Sequence, residues 1–454
     1  MQGIISPIAI AGFLLVIVIF CLSKAIYNVY FHPLSAYPGP WWMAVSDMVR
    51  LTHLASGRYV ALNHRLHLLY GPIVRVGPQE LSFIQPEAWK DIYGHSSGSG
   101  KAEFAKDPHF YGTTPNGVDH IGTANRQDHA RMRSVFSHAF SERALRKQEP
   151  LIREHAQKMA QRMREHSERN PGGVVNILDM FNFAAFDITS ELAFGEPLGL
   201  LDRDAYTPWV RALFDGVKFM TIRGAVLKVP LVGRLLQLLT ERTLKKQFEA
   251  HFRYACDMVD RRLARQPRQE QQQEKKPDLQ GSKMGPVPVP DIWSFVLGGD
   301  DKKRLSLAEM HSNASGFMIG GGETTSTTLS GVVYLLLQHP ETMRRLMEEL
   351  REAGVFESVD GNVNDRMSWS TLARLEYLKA CLTETLRLFP PAAVGLPRIV
   401  PSGGAKICGN LVPEGVKFFF FFLNPGLKIC RQDKWWPYEV RCSAKTLKMT
   451  THGT

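Results

Sequence analysis

The sequence is poor in cysteine. Its 454 residues hold six, at positions 21, 256, 381, 408, 430 and 442, and no two stand in Cys-x-x-Cys spacing. So low a count excludes a disulfide framework, and the spacing excludes the common zinc modules. Long runs of one charge are missing as well. The formal net charge is +11, but residues 417–454 hold seven Lys/Arg against two acids, so the rest of the chain carries only +6. That distribution does not track a phosphate backbone, which argues against a nucleic-acid partner. A mildly basic face toward anionic lipid or an acidic protein suits it better. No internal repeat is visible, and no second apolar run is long and uncharged enough to cross a bilayer. Hydrophobic residues still make up 44% of the chain, enough for a large core and too many for global disorder.

The single long apolar run lies at 4–23. Its twenty positions carry no charge and match the ~20 apolar residues that a membrane-crossing helix needs. Lys24 follows, then Tyr27, Tyr30 and Phe31, aromatics of the kind that favour a membrane interface. A cleaved signal peptide is the alternative. It would want a basic n-region and a small-x-small site before the aromatics, and neither is there. We therefore expect residues 1–25 to be a transmembrane anchor. Residues 26–40, with Pro33, Pro38 and Pro40, read as a Pro-rich hinge that is stiff but not helical.

Past the hinge, Ile73–Val76 after Tyr70-Gly71-Pro72 reads as a strand, broken by Gly77-Pro78 and resumed at Leu81–Ile84. Helical periodicity then dominates, over roughly 126–166, 179–193, 206–217, 240–264, 306–338, 340–353 and 371–388. Residues 265–290 hold six Gln and five Pro and cannot build a core, so they read as an exposed loop.

Three patterns carry chemistry. The first is Gly320-Gly321-Gly322-Glu323-Thr324-Thr325, inside the helical stretch from about 305 to 338. Three glycines in mid-helix cost roughly 1 kcal/mol each relative to alanine. A flat ligand approaching the backbone would justify them, as would a loosened hydrogen-bond ladder that admits water or dioxygen. An acid and a hydroxyl follow, which suits proton delivery. A phosphate loop is excluded, because no strand precedes the glycines and no Gly-Lys-Ser/Thr follows. A plain helix kink is the bland alternative. The second pattern is Glu384-Thr385-Leu386-Arg387, closed by Pro390-Pro391. Glu384 and Arg387 stand i, i+3 and can pair bidentately, and their apolar neighbours suggest a buried, structural pair rather than a solvated one. The third is His129 and Arg133, i, i+4 on a basic helix, able to hold a carboxylate or to be merely a solvated face.

The order of anchor, Pro-Gly-Pro hinge, His-x-x-x-Arg helix, GGGETT helix, Glu-x-x-Arg with Pro-Pro, and Leu396-Pro397-Arg398 resembles the microsomal cytochromes P-450, fungal ones in particular. The likeness runs from residue 1 to about 416. It implies a mainly α cytochrome P-450 fold with a small β-region, preceded by a single transmembrane helix. It implies that Glu323 and Thr324 relay protons over a haem, with Gly320 and Gly321 lying against it. His129, Arg133 and Arg398 match positions that bind the haem propionates, and Glu384 with Arg387 matches the pair that braces the core. It further implies haem iron as cofactor and a flavoprotein NADPH-cytochrome P-450 reductase as electron donor. The substrate would be a small apolar molecule, in a setting such as fungal secondary metabolism. The chain would be held in the endoplasmic reticulum membrane with its body facing the cytosol. Asn313-Ala314-Ser315 should then stay unglycosylated.

The family pattern stops after Gly415. The iron's thiolate ligand is expected in a Phe-x-x-Gly-x-Arg-x-Cys-x-Gly loop, where it favours O–O cleavage. Residues 417–454 show no such loop and read as a non-family tail that begins Lys417-Phe418-Phe419-Phe420-Phe421-Phe422. Cys430 echoes the loop faintly, with Gly426 four residues before it and Lys428 two before it. Loss of the ligand would put haem binding in question. The expected domains are therefore 1–25, 26–40, 41–416 and 417–454. The expected function is haem-dependent monooxygenation, with a catalytically incompetent, truncated remnant as the alternative. No metal site of protein ligands is expected.

Overall fold

A computed structural model describes residues 7–94, 103–214, 216, 246, 248–265, 290–297, 304–356, 368–420 and 441–442. Helix α1 (Pro7–Ile26) runs into a π turn at Tyr27–Phe31. Short helices α2 (Trp41–Val45), α3 (Met48–Ala55) and α4 (Tyr59–Tyr70) follow, then strands β1 (Ile73–Gly77) and β2 (Glu80–Phe83). Next come α5 (Pro86–Tyr93), β3 (Ala105–Lys106), α6 (Pro108–Tyr111), α7 (Arg126–Phe136), α8 (Glu142–Arg169), β4 (Val175–Asn176), α9 (Ile177–Phe194) and α10 (Leu200–Arg203). Residues 208–214 and 248–265 are helical. The chain continues through α11 (Ile292–Leu297), α12 (Leu307–Gln338), α13 (Pro340–Glu352), α14 (Trp369–Leu372) and α15 (Glu376–Leu388). It closes with β5 (Arg398–Ile399), β6 (Ala405–Ile407), β7 (Asn410–Val412), β8 (Lys417–Phe420) and β9 (Arg441–Cys442).

The expected helix over 126–166 is two helices, parted at 137–141, where Ser141 caps α8 by accepting from Ala144 N–H. The stretch over 371–388 is likewise split, between α14 and α15. The glutamine- and proline-rich loop lies outside the described residues, save for Arg265 and Pro290 at its ends.

The contacts divide the chain into two units. Among the described residues, the first holds 7–94, 103–111 and 393–420 and contains the sheet. Its strand order is β1-β2-β8-β5-β3, with β8 parallel to β2 and antiparallel to β5. Leu81, Phe83 and Phe418 are fully buried there, and the ring of Phe418 stands edge-on to that of Phe83 at 6.4 Å. The four residues after the expected break at 416 are thus a central strand of the sheet, as the high strand propensity of phenylalanine allows. The first residues of the tail expected from 417 are thus part of the sheet. The hinge expected at 26–40 is also packed structure. Leu34 is fully buried, Arg75 N–H donates to Pro38 O at 2.7 Å, and Tyr37 Oη donates to Leu411 O at 3.1 Å.

The second unit is helical and is built on α9 against α12. Its core joins Phe183, Phe186, Phe194, Trp293, Ala314 and Met318. An Asn176 cap starts α9, and Gly195 in the left-handed region ends it. A capping box of Ser306 and Glu309 starts α12.

Candidate functional site

Helix α12 is continuous for 32 residues across the three glycines, so they do not break the ladder as the sequence reading allowed. Each glycine answers to a different neighbour. A Cβ at Gly321 would lie 2.6 Å from Thr189 Cγ2, and one at Gly322 would lie 2.6 Å from the Phe186 ring, both on α9. These two glycines are notches that let two helices pack closely. Gly321, expected to lie against a cofactor, has its Cβ position turned to Thr189 of α9. Gly320 differs, since a Cβ there meets nothing within 4 Å.

Thr324 is one turn on from Gly320, and its hydroxyl donates to Gly320 O at 2.5 Å. It is exposed, so Gly320 and Thr324 form an open strip on α12. One turn before them, Gly316 is covered by the His120 ring, at 3.3 Å from a Cβ placed there. The loop carrying His120 is fastened to the same helix. Asn116 Nδ2 donates to Ala308 O at 3.0 Å, and Ile121 N–H donates to Asn313 Oδ1 at 2.9 Å. Sequence reading missed both His120 and Thr189. The four-residue spacing of Gly316 and Gly320 says that a face is shallow but not that His120 lies on it, and Gly321 alone does not point to Thr189.

Glu323 points elsewhere on the helix, half-buried. Burial raises its carboxyl above the ordinary range, and no hydrogen bond or ion pair of that carboxyl is found among the described residues. A half-buried carboxyl with a raised affinity for its proton is suited to passing protons.

His129 is half-buried on α7 and Arg133 is exposed. Helix α7 is tied to the start of α12 by Arg131, which pairs with Glu309 and Asp128. Arg398 belongs to the other unit. It donates to Tyr111 Oη and lies over the rings of Tyr93 and Tyr111, 5.2 and 5.5 Å from their centroids. No carboxylate pairs with it among the described residues.

Glu384 and Arg387 do pair bidentately, at 2.5 and 2.7 Å. The expected burial is wrong, however: their side chains are 53% and 43% exposed. Thr385 and Phe389 turn toward Gly331 of α12, which swings Glu384 and Arg387 to the opposite side of α15. The leucines that suggested burial, Leu382 and Leu386, are themselves exposed.

A family model for cytochrome P450 matches residues 37–427. The chain belongs to the cytochrome P450 family. Cytochrome P450 monooxygenase efuB of Hormonema carpetanum is 38% identical over 90% of this chain and 76% of its own length. Cytochrome P450 monooxygenase AMT3 of Alternaria alternata is 38% identical over 87% and 76%, respectively. FUM2 of Gibberella moniliformis, also a cytochrome P450 monooxygenase, is 35% identical over 86% and 77%. The match to residue 427 carries the P450 likeness past the break expected at 416. The family implies haem iron, a redox partner and a small-molecule substrate.

A P450 haem needs a thiolate. Among the described residues the free cysteines are Cys21, Cys256, Cys381 and Cys408. Cys21 lies in α1. Burial, with acidic neighbours, raises the thiols of Cys256 (to about 11), Cys381 and Cys408, the opposite of what a ligand requires. Cys430 lies outside the described residues, and Cys442 is placed only as part of the strand pairing with Val175. No cluster of three His, Cys, Asp or Glu suited to a metal is found among the described residues.

Proposed function

We propose that this P450 is a haem-dependent monooxygenase of a small apolar molecule. The observation that carries it is the open strip of α12, where Gly320 has no neighbour over it and Thr324 stands exposed one turn on. The shallow backbone at Gly320 suits a flat group, and Arg398, with no carboxylate partner, suits an anionic one such as a propionate. By family resemblance alone, His129 and Arg133 are likewise candidates to bind a propionate. When bound, the haem supplies dioxygen activation. The chain's own part is proton delivery: Glu323, its carboxyl raised by burial, and the Thr324 hydroxyl would pass protons toward the strip. The electron donor would be a flavoprotein NADPH-cytochrome P-450 reductase. Apolar helix α1, with its uncharged run, supports a single-pass place in a membrane, and the family resemblance makes that membrane the endoplasmic reticulum, with the body in the cytosol.

The experiment is Thr324→Ala in the reductase-coupled, haem-loaded enzyme. Peroxide release per NADPH consumed should rise while haem content holds. Unchanged coupling would remove the relay role. A second reading is a P450 remnant without thiolate-ligated haem, because no Phe-x-x-Gly-x-Arg-x-Cys-x-Gly loop stands in the sequence. Of the cysteines in the sequence, Cys430 has the spacing nearest to the family's ligand loop.

A further inference from the structure

Arg75 joins the anchor helix to the sheet. It lies in β1 and is 3% exposed. Its guanidinium bonds only backbone carbonyls among the described residues. Nη1 donates to Asn28 O at 2.9 Å, Nε to Gly77 O at 3.3 Å and Nη2 to Pro78 O at 2.7 Å. Asn28 belongs to the π turn that ends α1, and its own Nδ2 donates to Val45 O of α2 at 3.4 Å. Gly39 sits so close on Arg75 that any side chain there would strike the Arg75 carbonyl. The end of the anchor, the segment after it and α2 are therefore all fixed to one strand.

Around this joint the surface is aromatic. Tyr27 is 50% exposed, Tyr30 71%, Phe31 72% and Trp41 68%. Trp41 opens α2, which packs on both α1 and the π turn, so all four rings are carried by elements at the end of α1. The twenty residues of α1 rise about 30 Å, the thickness of a bilayer's hydrocarbon. The residues that follow then fall at the headgroup level, where Trp and Tyr are favoured. In water, four such rings in one place would form an unfavourable apolar patch.

We propose that Tyr27, Tyr30, Phe31 and Trp41 form one collar seated at the headgroup boundary of a bilayer. Arg75 locks that collar to the sheet, so anchor and sheet meet lipid as one rigid body. This rests on the reading of α1 as a membrane anchor. The guanidinium is needed because it holds three carbonyls from a planar fork, whereas a lysine ammonium is a compact point charge that cannot reach all three.

The test uses the full chain in phosphatidylcholine vesicles, with wild type, Trp41→Phe and Arg75→Lys compared. The fluorescence difference between wild type and Trp41→Phe isolates Trp41. That difference should be quenched by brominated lipid and protected from aqueous iodide. In Arg75→Lys the Trp41 signal should lose lipid quenching and gain iodide quenching, while the chain stays on the vesicles. A chain that fails to float with vesicles overturns the anchor reading and the collar with it. A chain that floats but shows Trp41 open to iodide overturns the collar alone, whether that face is bare or binds another protein. Wild-type quenching in Arg75→Lys overturns the lock. The Trp41→Phe comparison stands even if Arg75→Lys misfolds.

Discussion

The Thr189 side chain occupies the space that a Cβ on Gly321 would need, 2.6 Å from its nearest carbon. Gly320, one residue earlier, has nothing within 4 Å of the same position. Two neighbouring glycines thus serve different ends, one packing and one access.

Alanine should separate them. Gly320→Ala gains about 0.5–1 kcal/mol of helix stability, because glycine is costly in mid-helix and the added methyl meets nothing. Gly321→Ala overpacks against Thr189 and should cost about 1–3 kcal/mol. Urea unfolding of the two variants in detergent measures both signs. Equal effects would show that the contact with Thr189 does not govern the site.

Glu323 makes a pH prediction. Its carboxyl is raised by burial, so the folded chain keeps a proton that the unfolded chain releases. That contribution to stability is complete below the ordinary value of 4.5 and is lost as pH rises through the folded value. Glu323→Gln cannot ionise. It should match wild type at acid pH and exceed it in unfolding midpoint at neutral pH. A midpoint below wild type at neutral pH would mean that the carboxylate is held by a partner.

Two histidines predict an acid limb. Burial lowers His67 and His251 to about 4 from 6.5. His251 stacks on Trp209 at 5.4 Å and bonds Ser315 Oγ at 2.9 Å, while His67 bonds Ser82 Oγ at 2.7 Å. Their contribution is whole above 6.5 and is lost as pH falls toward about 4. Each proton adds a slope of roughly 1.4 kcal/mol per pH unit within that window. His251→Phe keeps the ring stack and removes one titration, so stability measured from pH 7 to 4 should fall less steeply than in wild type.

Much of this was legible in the sequence. The apolar N-terminal helix, the long helices and the His129, Gly320–Thr324 and Glu384–Arg387 patterns all show as local periodicity or spacing. What was not legible depends on partners far along the chain. Gly321 and Gly320 are the same letter, and only Thr189, some 130 residues away, tells them apart. The hinge at 26–40 looked loose because prolines exclude a helix, yet Arg75 and Leu411 hold it in place. Phe418 looked like part of a stray aromatic run because its strand partners are at 80–83 and 398–399.

The Glu384–Arg387 pair shows how apolar neighbours mislead. With half of each side chain in water, the pair should contribute less than about 1 kcal/mol. Arg387→Ala should therefore shift the urea midpoint only slightly. A loss of several kcal/mol would show that the pair is covered in the working protein.

The most direct test of the monooxygenase reading is the absorbance of the purified, membrane-reconstituted chain after reduction in carbon monoxide. Thiolate-ligated haem gives a distinctive red-shifted band, and that band is the expected result. A chain without haem, or with haem that lacks the shifted band, would contradict the reading and leave a P450 fold without P450 chemistry.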